Sequence, residues 1–328
     1  MKLILGTMTF GESVFRPDVD VFINTFLDYG YDELDTAYVY NEGNCERFLG
    51  EVLPSLGRPV RIATKVNPRI TGKLDGETAY MQVNESLRRL RRKSADIVFL
   101  HFPDPATPVE SVLSAMNEMH EQGKFDELGL SNYPAWMTAD IRHICDRNGW
   151  VKPTVYEGVY NPLTRGAEAE LNACLNHYGL RFYAYNPTMG GMLTGRYQSV
   201  NENPSDGRFT HRPGYKNKYW KKTNFEALDV IRAALEPHGI SMPEATYRWL
   251  AYHSMLDETR GDAILIGASN LNHLIENMNA VKVGPLPEDI ADAFEEAWNL
   301  CRGESREYFT LYQGKGSVGG ETPTGETK

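Results

Sequence analysis

Short apolar runs alternate with amphipathic segments along nearly the whole chain, and this alternation constrains the fold more than any other feature. The runs fall at residues 2–7, 31–36, 60–65, 95–101, 127–132, 154–161, 180–185 and 263–267. Apolar residues at helical spacing occupy 19–29, 44–53, 76–92, 109–122, 135–148, 165–177 and 271–281. A run too short for most helices, followed by a 3.6-period segment, reads as a strand and its crossover helix. Eight such runs predict an α/β fold, a closed (β/α)8 TIM barrel with right-handed crossovers. The alternative is an open doubly wound sheet. Such a sheet usually carries a glycine fingerprint after its first strand. Here that turn reads Gly6-Thr7-Met8-Thr9-Phe10-Gly11, without G-x-G-x-x-G, which disfavours a Rossmann site.

Two regions interrupt the pattern. Between the last two runs lies a long insertion whose stretch 204–222 is polar, punctuated by Gly and Pro, and aromatic at Phe209, Tyr215, Tyr219 and Trp220. It reads as an irregular binding loop. From residue 313 onward the chain is rich in Gly, Thr, Ser and Lys with no apolar pattern. The expected organisation is one barrel domain over 1–312 and a disordered tail over 313–328.

The net charge of -10 makes nucleic acid an unexpected partner, because an acidic protein repels a phosphate backbone. The basic run Arg88, Arg89, Arg91, Arg92, Lys93 reads as a solvated helix face. Cys45, Cys145, Cys174 and Cys301 are far apart and form no C-x-x-C pair, so neither a metal site nor a disulfide framework is expected. No apolar run reaches transmembrane length and the amino terminus does not read as a signal peptide, so a cytoplasmic protein without membrane contact is expected.

The ends of the runs carry the chemistry. The second ends in Asp35, the third in Lys65 and the fourth in His101. The fifth ends in Ser131-Asn132, the sixth near Glu157 and Asn161, the seventh in Tyr185-Asn186, and Ser269 follows the eighth. In a barrel these ends converge on one face. A single charged residue there is often only a strand leaving the core, but Asp, Lys and His close three successive runs. Tyr40 follows the second run by a short turn. A free phenol, with a pKa of about 10, is a poor acid at neutral pH. A neighbouring ammonium such as Lys65 would favour the phenolate, Asp35 would hold Lys65 in place, and His101 could donate to a carbonyl oxygen. Together these groups could protonate a developing alkoxide. No side chain donates hydride, so a nicotinamide cofactor is implied.

At these residues the sequence resembles the aldo-keto reductases. Asp35-Thr36-Ala37 with Tyr40, Ala63-Thr64-Lys65, and Leu100-His101 match the family's Asp, Tyr, Lys and His tetrad in order and spacing. The resemblance runs from about Leu5 to Phe309 and is strongest to the aflatoxin-aldehyde reductase branch. Gly123-Lys124-Phe125, Leu128-Gly129-Leu130-Ser131-Asn132-Tyr133, Asn148-Gly149-Trp150, Pro153-Thr154-Val155-Tyr156 and Phe182-Tyr183-Ala184-Tyr185-Asn186-Pro187 carry it.

The resemblance implies reduction of a small-molecule carbonyl by NADPH, giving NADP+, and a homodimer. It implies that Ser131 and Asn132 hold the nicotinamide carboxamide, with Glu157 beside them, and that Tyr185 stacks on the ring. The stretch of Asn186, Pro187, Met189, Gly190, Gly191, Leu193 and Arg196 would cover the pyrophosphate, with two glycines permitting close approach. Gly267, Ser269, His273 and Asn277 would cradle the adenosine 2′-phosphate, with Arg208 as a further cofactor contact. Ser269 reads equally as a plain helix N-cap. Tyr215 and Lys218 are substrate candidates by the same match, or else surface residues. The branch carries Gln where this chain has Glu157, and ends in Arg where this chain has Thr310 and continues. Thr310 offers no charge, so neutral aldehydes, especially aromatic ones, are expected to be better substrates than short ω-carboxy aldehydes. The alternative function is an NADPH-binding regulatory or interaction subunit with little turnover.

Overall fold

A computed structural model describes residues 1–314. Eight parallel strands close into a barrel in sequential order, each paired with its chain neighbours and the last with the first. They are β1 (Lys2–Gly6), β2 (Glu33–Asp35), β3 (Arg61–Val66), β4 (Ala95–Leu100), β5 (Phe125–Ser131), β6 (Pro153–Val159), β7 (Arg181–Tyr185) and β8 (Ala263–Ile266). Helices α1 (Asp18–Asp28), α2 (Asn44–Val52), α3 (Gly76–Leu90), α4 (Val109–Glu121), α5 (Ala135–Asn148) and α6 (Leu171–Tyr178) link the first seven strands. The expected βα pattern is therefore present, with strand ends shifted by a residue or two. The expected helix 165–177 begins instead as a 3-10 turn, Gly166–Glu168, before α6.

The insertion before β8 corrects the expectation of an irregular loop. It holds α7 (Arg208–His211), α8 (Pro213–Tyr219), α9 (Lys222–Leu235) and α10 (Met242–Tyr252). Its aromatic residues stabilise these helices by packing on one another. The Trp220 ring lies 5.2 Å from Phe209 and 5.0 Å from Phe225, both edge-on. The charged residues between them masked this cluster in the sequence. After β8 come α11 (Leu271–Ala280) and α12 (Glu288–Cys301), which packs along α9. Gln313 and Gly314 lie in neither helix nor strand. The rest of the stretch expected to be a disordered tail lies outside the described residues.

Side-chain alternation along each strand separates two cores. Leu3, Leu5, Ile62, Val98, Leu100, Tyr156, Phe182 and Ile264 face the helices. Ile4, Ala63, Ile97, Phe99, Val155, Tyr183, Ala263 and Leu265 fill the barrel. Gly129 on β5 makes room for that filling. A Cβ there would stand 2.3 Å from Phe99 Cδ1. At the amino ends of the strands the interior closes with ion pairs. Lys2 and Arg61 contact Glu33 at 2.7 and 3.4 Å, while Arg61 and Arg181 contact Glu127 at 3.2 and 2.8 Å. These charges pair with one another, although Glu33 Oε1 is buried without a hydrogen-bond partner, and a barrel's amino end is ordinarily the stability face. No described helix is long and apolar enough to cross a membrane.

Candidate active site at the carboxyl ends of the strands

Counting two residues on from the barrel's apolar filling leads to the site. Lys65 follows Ala63, His101 follows Phe99, Glu157 follows Val155, and Tyr185 follows Tyr183. Side chains two apart share a face of a strand, so all four point inward at the carboxyl end. Lys65 is wholly buried, and Asp35 and Glu157 are each 3% exposed. The Lys65 ammonium donates to Asp35 Oδ1 and to Thr36 O, the latter at 3.0 Å. It also lies 3.3 Å from Glu157 Oε2, outside hydrogen-bonding alignment, and that oxygen is buried without a hydrogen-bond partner.

Two carboxyls therefore face one ammonium in a closed space. Burial raises the Asp35 carboxyl above its ordinary range against the pull of Lys65. Burial, and then the like charge of Asp35, raise Glu157 well above it. Asp35 takes the direct hydrogen bond from Lys65, so the upward push falls more heavily on Glu157. In its protonated form a Glu side chain offers both a donor and an acceptor, as a Gln amide does.

Tyr40 stands above this cluster. Lys65 Nζ is 5.3 Å from the centroid of its ring, and the His101 ring lies edge-on at 5.9 Å. The turn that follows Tyr40 is backbone-strained, with φ of 47° at Asn41 and 55° at Glu42. Arg89 supports it from α3 by donating to Tyr38 O at 2.9 Å and to Glu46 Oε2 at 3.1 Å. This corrects the reading of the basic run as a solvated face at Arg89, while Arg88, Arg91 and Lys93 are exposed as expected. The Arg89 side chain is only 8% exposed, because the buried carboxylate of Glu46 needs a cation. His101 is 8% exposed and its imidazole is held well below its ordinary pKa, first by burial and then by the positive charges of Lys65 and Arg69. It is neutral at physiological pH.

Ser131, Asn132 and Tyr185 meet beside this centre. Tyr185 donates to Asn132 Oδ1 at 2.7 Å, and Asn132 Nδ2 donates to Ser131 Oγ at 2.9 Å. Beyond them the chain turns sharply through Asn186, Met189, Gly190 and Gly191, all with positive φ. Asn186 Oδ1 accepts from Gly190 N at 2.6 Å. A Cβ on Gly190 would meet Tyr215 at 2.8 Å, so the turn packs directly under α8. Pro187, Met189 and Leu193 are buried, the last two in the main apolar core, and the Met189 and Leu193 N–H groups donate within the turn to Asn186 O and Thr188 O. Arg196 is exposed, 3.9 Å from Asp206. Arg208 and Lys218 both lie over the Tyr215 ring, at 5.2 and 5.8 Å.

At the start of α11, Gly267, Ser269 and His273 are exposed and Asn277 is buried. The N-cap is Asn270, whose Oδ1 accepts from His273 N at 2.9 Å, and not Ser269. Asn is at least as good a cap as Ser, and here it stands one residue nearer the helix. Ser269 is thereby released from capping at a helix amino terminus, a position that favours an anion.

Sequence reasoning missed Asn67 and Gln82, and named Arg306 only as an alternative anion site beside Lys218. The first two are wholly buried, Asn67 with its amide 3.2 Å from His101 Nδ1 and Gln82 bonded to the Asn67 backbone. Arg306 donates to Thr310 Oγ1 at 3.1 Å and to Tyr219 Oη at 3.3 Å. It brings a guanidinium to the position where Thr310 alone offered no charge. No ion pair joins Arg306 to a carboxylate among the described residues. The fold of the carboxyl-terminal segment is what brings Arg306 to Thr310. Two surface concavities, of about 490 Å³ beside Met242 and about 240 Å³ beside Trp136, contain none of the predicted site residues. Among the described residues no three His, Cys, Asp or Glu side chains form a candidate metal site.

The sequence model of the aldo/keto reductase family matches residues 2–299. The chain is 43% identical over 318 residues to aldo-keto reductase family 7 member A3 of Homo sapiens, covering 93% of this chain and 96% of that protein. It is 42% identical over 318 residues to aflatoxin B1 aldehyde reductase member 2 of Mus musculus, covering 93% of this chain and 87% of the relative. The Homo sapiens aflatoxin B1 aldehyde reductase member 2 is also 42% identical, over 93% of this chain and 89% of that protein.

Proposed function

The chain belongs to the aldo/keto reductase family and is an oxidoreductase of carbonyl compounds, and from that premise we propose that it reduces aldehydes or ketones with NADPH, with Tyr40 as the proton donor. The observation that carries the proposal is the convergence of Tyr40 and His101 over the buried Lys65–Asp35 pair.

The residues present fit a nicotinamide dinucleotide. The orphaned Glu157 Oε2 lies within 3.3 Å of Lys65, beside the Ser131–Asn132–Tyr185 group. Ser131, Asn132 and Glu157 would hold the carboxamide, and Tyr185 the ring. The backbone of 186–193 with Arg196 would cover the pyrophosphate. Gly267, Ser269, His273 and Asn277, with Arg208, would hold the adenosine phosphate. When bound, the reduced nicotinamide supplies the hydride. His101 donates a hydrogen bond to the substrate carbonyl oxygen and orients it. Tyr40 gives its proton to the oxygen as negative charge develops there. Lys65 favours the phenolate that remains, and Asp35 holds Lys65 in place. Tyr215 and Lys218 stand as substrate contacts at the mouth.

Turnover of 4-nitrobenzaldehyde with NADPH tests the reading. Tight NADPH binding with no turnover of any aldehyde in a panel would restore the alternative of a regulatory subunit. A homodimer and a cytoplasmic location, carried over from the sequence reading, belong to the same proposal.

NADPH is expected to bind more tightly than NADH, through Ser269 at the exposed start of α11 and Arg208. Arg208→Ala should weaken NADP+ by roughly 10-fold and NAD+ much less, since a charge-assisted hydrogen bond is at stake. Calorimetric titration of both nucleotides checks this, and equal losses would refute it.

Arg306 removes the premise behind the expected preference for neutral aldehydes. Its guanidinium, bonded to Thr310, makes a carboxylate-bearing aldehyde an acceptable substrate. Arg306→Met is expected to raise KM for succinic semialdehyde by about 10-fold or more, and KM for benzaldehyde by less. A uniform change in both would separate Arg306 from substrate charge.

A further inference from the structure

Behind His101 lies a chain of buried amides that the reductase reaction as described does not use. Asn67 and Gln82 are both wholly inaccessible to solvent. Asn67 sits just past the end of β3, and Gln82 lies on α3. The Gln82 amide grips the Asn67 peptide from both sides. Its Oε1 accepts from Asn67 N at 2.7 Å, and its Nε2 donates to Asn67 O at 2.8 Å. The Asn67 side chain is oriented in turn by Arg69, whose backbone N–H donates to Asn67 Oδ1 at 2.8 Å.

That bond decides which end of the Asn67 amide meets the imidazole. With Oδ1 committed to Arg69 N, the NH2 group faces His101 Nδ1 at 3.2 Å. Turning the amide over would set a donor against the Arg69 N–H, at a buried site where water cannot relieve the clash. An NH2 group bonds a ring nitrogen only through that nitrogen's lone pair. His101 Nδ1 is therefore an acceptor, and the ring proton of the neutral imidazole sits on Nε2.

The groups facing the ring from other elements act in the same direction. Lys65 on β3 and Arg69 beyond it are cations that oppose a second proton, and the Tyr40 and His101 rings meet edge to face. The Arg69 guanidinium is held 4.0 Å from the Phe102 ring, which stacks on His101 at 4.6 Å. No carboxylate acts on the imidazole among the described residues.

We propose that Asn67 is a positioning residue that holds His101 as the neutral Nε2–H tautomer, so that the imidazole presents a donor, never an acceptor or a full charge, to the substrate oxygen. Gln82 is the strut that holds Asn67. The proposal rests on the reading of His101 as a donor to the carbonyl, but its central claim concerns the free protein and does not need turnover to be measured.

The test begins with the unmodified protein. Nitrogen-15 spectra of labelled histidine, with His101 assigned by its loss in His101→Gln, are expected to show an unprotonated Nδ1 and a protonated Nε2 from pH 8 down to about pH 5. A protonated Nδ1, or a normal histidine titration in that range, would overturn the proposal. Asn67→Asp then replaces the donor with an acceptor of the same shape. The proton should move to Nδ1 or the ring should become doubly protonated. With that change, kcat should fall by about 10²-fold and a new limb should appear in the pH profile in the histidine range. NADPH affinity should hold, which a general structural defect would not allow. If Asn67→Asp folds and leaves both the spectrum and the pH profile unchanged, Asn67 does not position the ring. A correct tautomer combined with full activity in His101→Ala would instead leave the Asn67 geometry standing and remove the assigned role of His101, so the two failures are distinguishable.

Discussion

Tyr40→Phe is expected to lose about 10²–10⁴-fold in kcat while keeping nearly all of its NADPH affinity. The substitution removes one oxygen and leaves the ring, so the contacts of the ring with Lys65 at 5.3 Å and His101 at 5.9 Å persist. What disappears is the proton needed where charge develops on the substrate oxygen. That interaction exists only as the bond order changes, so its loss appears in kcat rather than in binding. His101 cannot take over. It is neutral, and in the proposed reaction its single N–H orients the carbonyl rather than being given up. Water is a poor substitute in a site whose floor, Lys65 and Asp35, is buried. The measurement is steady-state reduction of a benzaldehyde beside fluorescence titration of NADPH on the same preparation. A mutant with parental kcat would mean that the proton comes from elsewhere, and the pH profiles of His101 and Glu157 variants would show from which.

Lys65→Met should be as damaging to turnover and, unlike Tyr40→Phe, should also destabilise the fold. The ammonium is the shared partner of Asp35 and Glu157, both almost fully buried. Deleting one partner of a buried ion pair typically costs about 3–5 kcal/mol, because a charge is left without compensation. The sign with pH follows from the carboxyls. Burial already raises both above their unfolded values in the intact protein, and loss of the cation raises them further. A carboxyl whose folded pKa is raised supports folding fully below its unfolded value, about 4. That support is lost as pH climbs toward the folded value. Lys65→Met should therefore be closest to the parent in stability near that acidic limit and fall behind it as pH rises to neutral. Adding Glu157→Gln removes one of the two titrating groups and should recover part of the loss at neutral pH. Thermal unfolding of the parent, the single variant and the double variant across this range decides it. A stability difference that does not change with pH would show that the carboxyls are not coupled to Lys65 as described.

The barrel was legible because its strands obey a period of two and its crossover helices a period of 3.6, both local properties. The candidate site was legible in part for the same reason. Asp35, Lys65 and His101 each close a strand, so knowing the strands places them on one rim. The helices at Arg208–His211 and Pro213–Tyr219 were not legible. Their stability comes from Trp220, Phe209 and Phe225 packing across turns, and short charged helices carry little local signal of their own. The inward course of Arg89 was hidden too. Its neighbours in a basic run suggested solvent, and only the buried Glu46 across the α2–α3 contact explains it.

By itself the sequence determined the fold class, the order of the strands and which residue types stand at their carboxyl ends. It also determined family membership, since ordered motifs along the chain suffice for that. Only the tertiary structure decided protonation and partnership. That Glu157 is pushed toward its neutral form follows from Asp35 being brought beside it from another strand, and from the exclusion of water around both. That His101 carries its proton on Nε2 follows from Asn67 and Arg69 N closing on it from beyond another strand. That Arg306 supplies a charge at Thr310 follows from the path of the carboxyl-terminal segment over the barrel. Strand periodicity is a short-range steric property of the backbone, and so it can be read residue by residue. Electrostatics and hydrogen-bond direction depend on distances between groups far apart in the chain, and those distances do not exist until the barrel has closed.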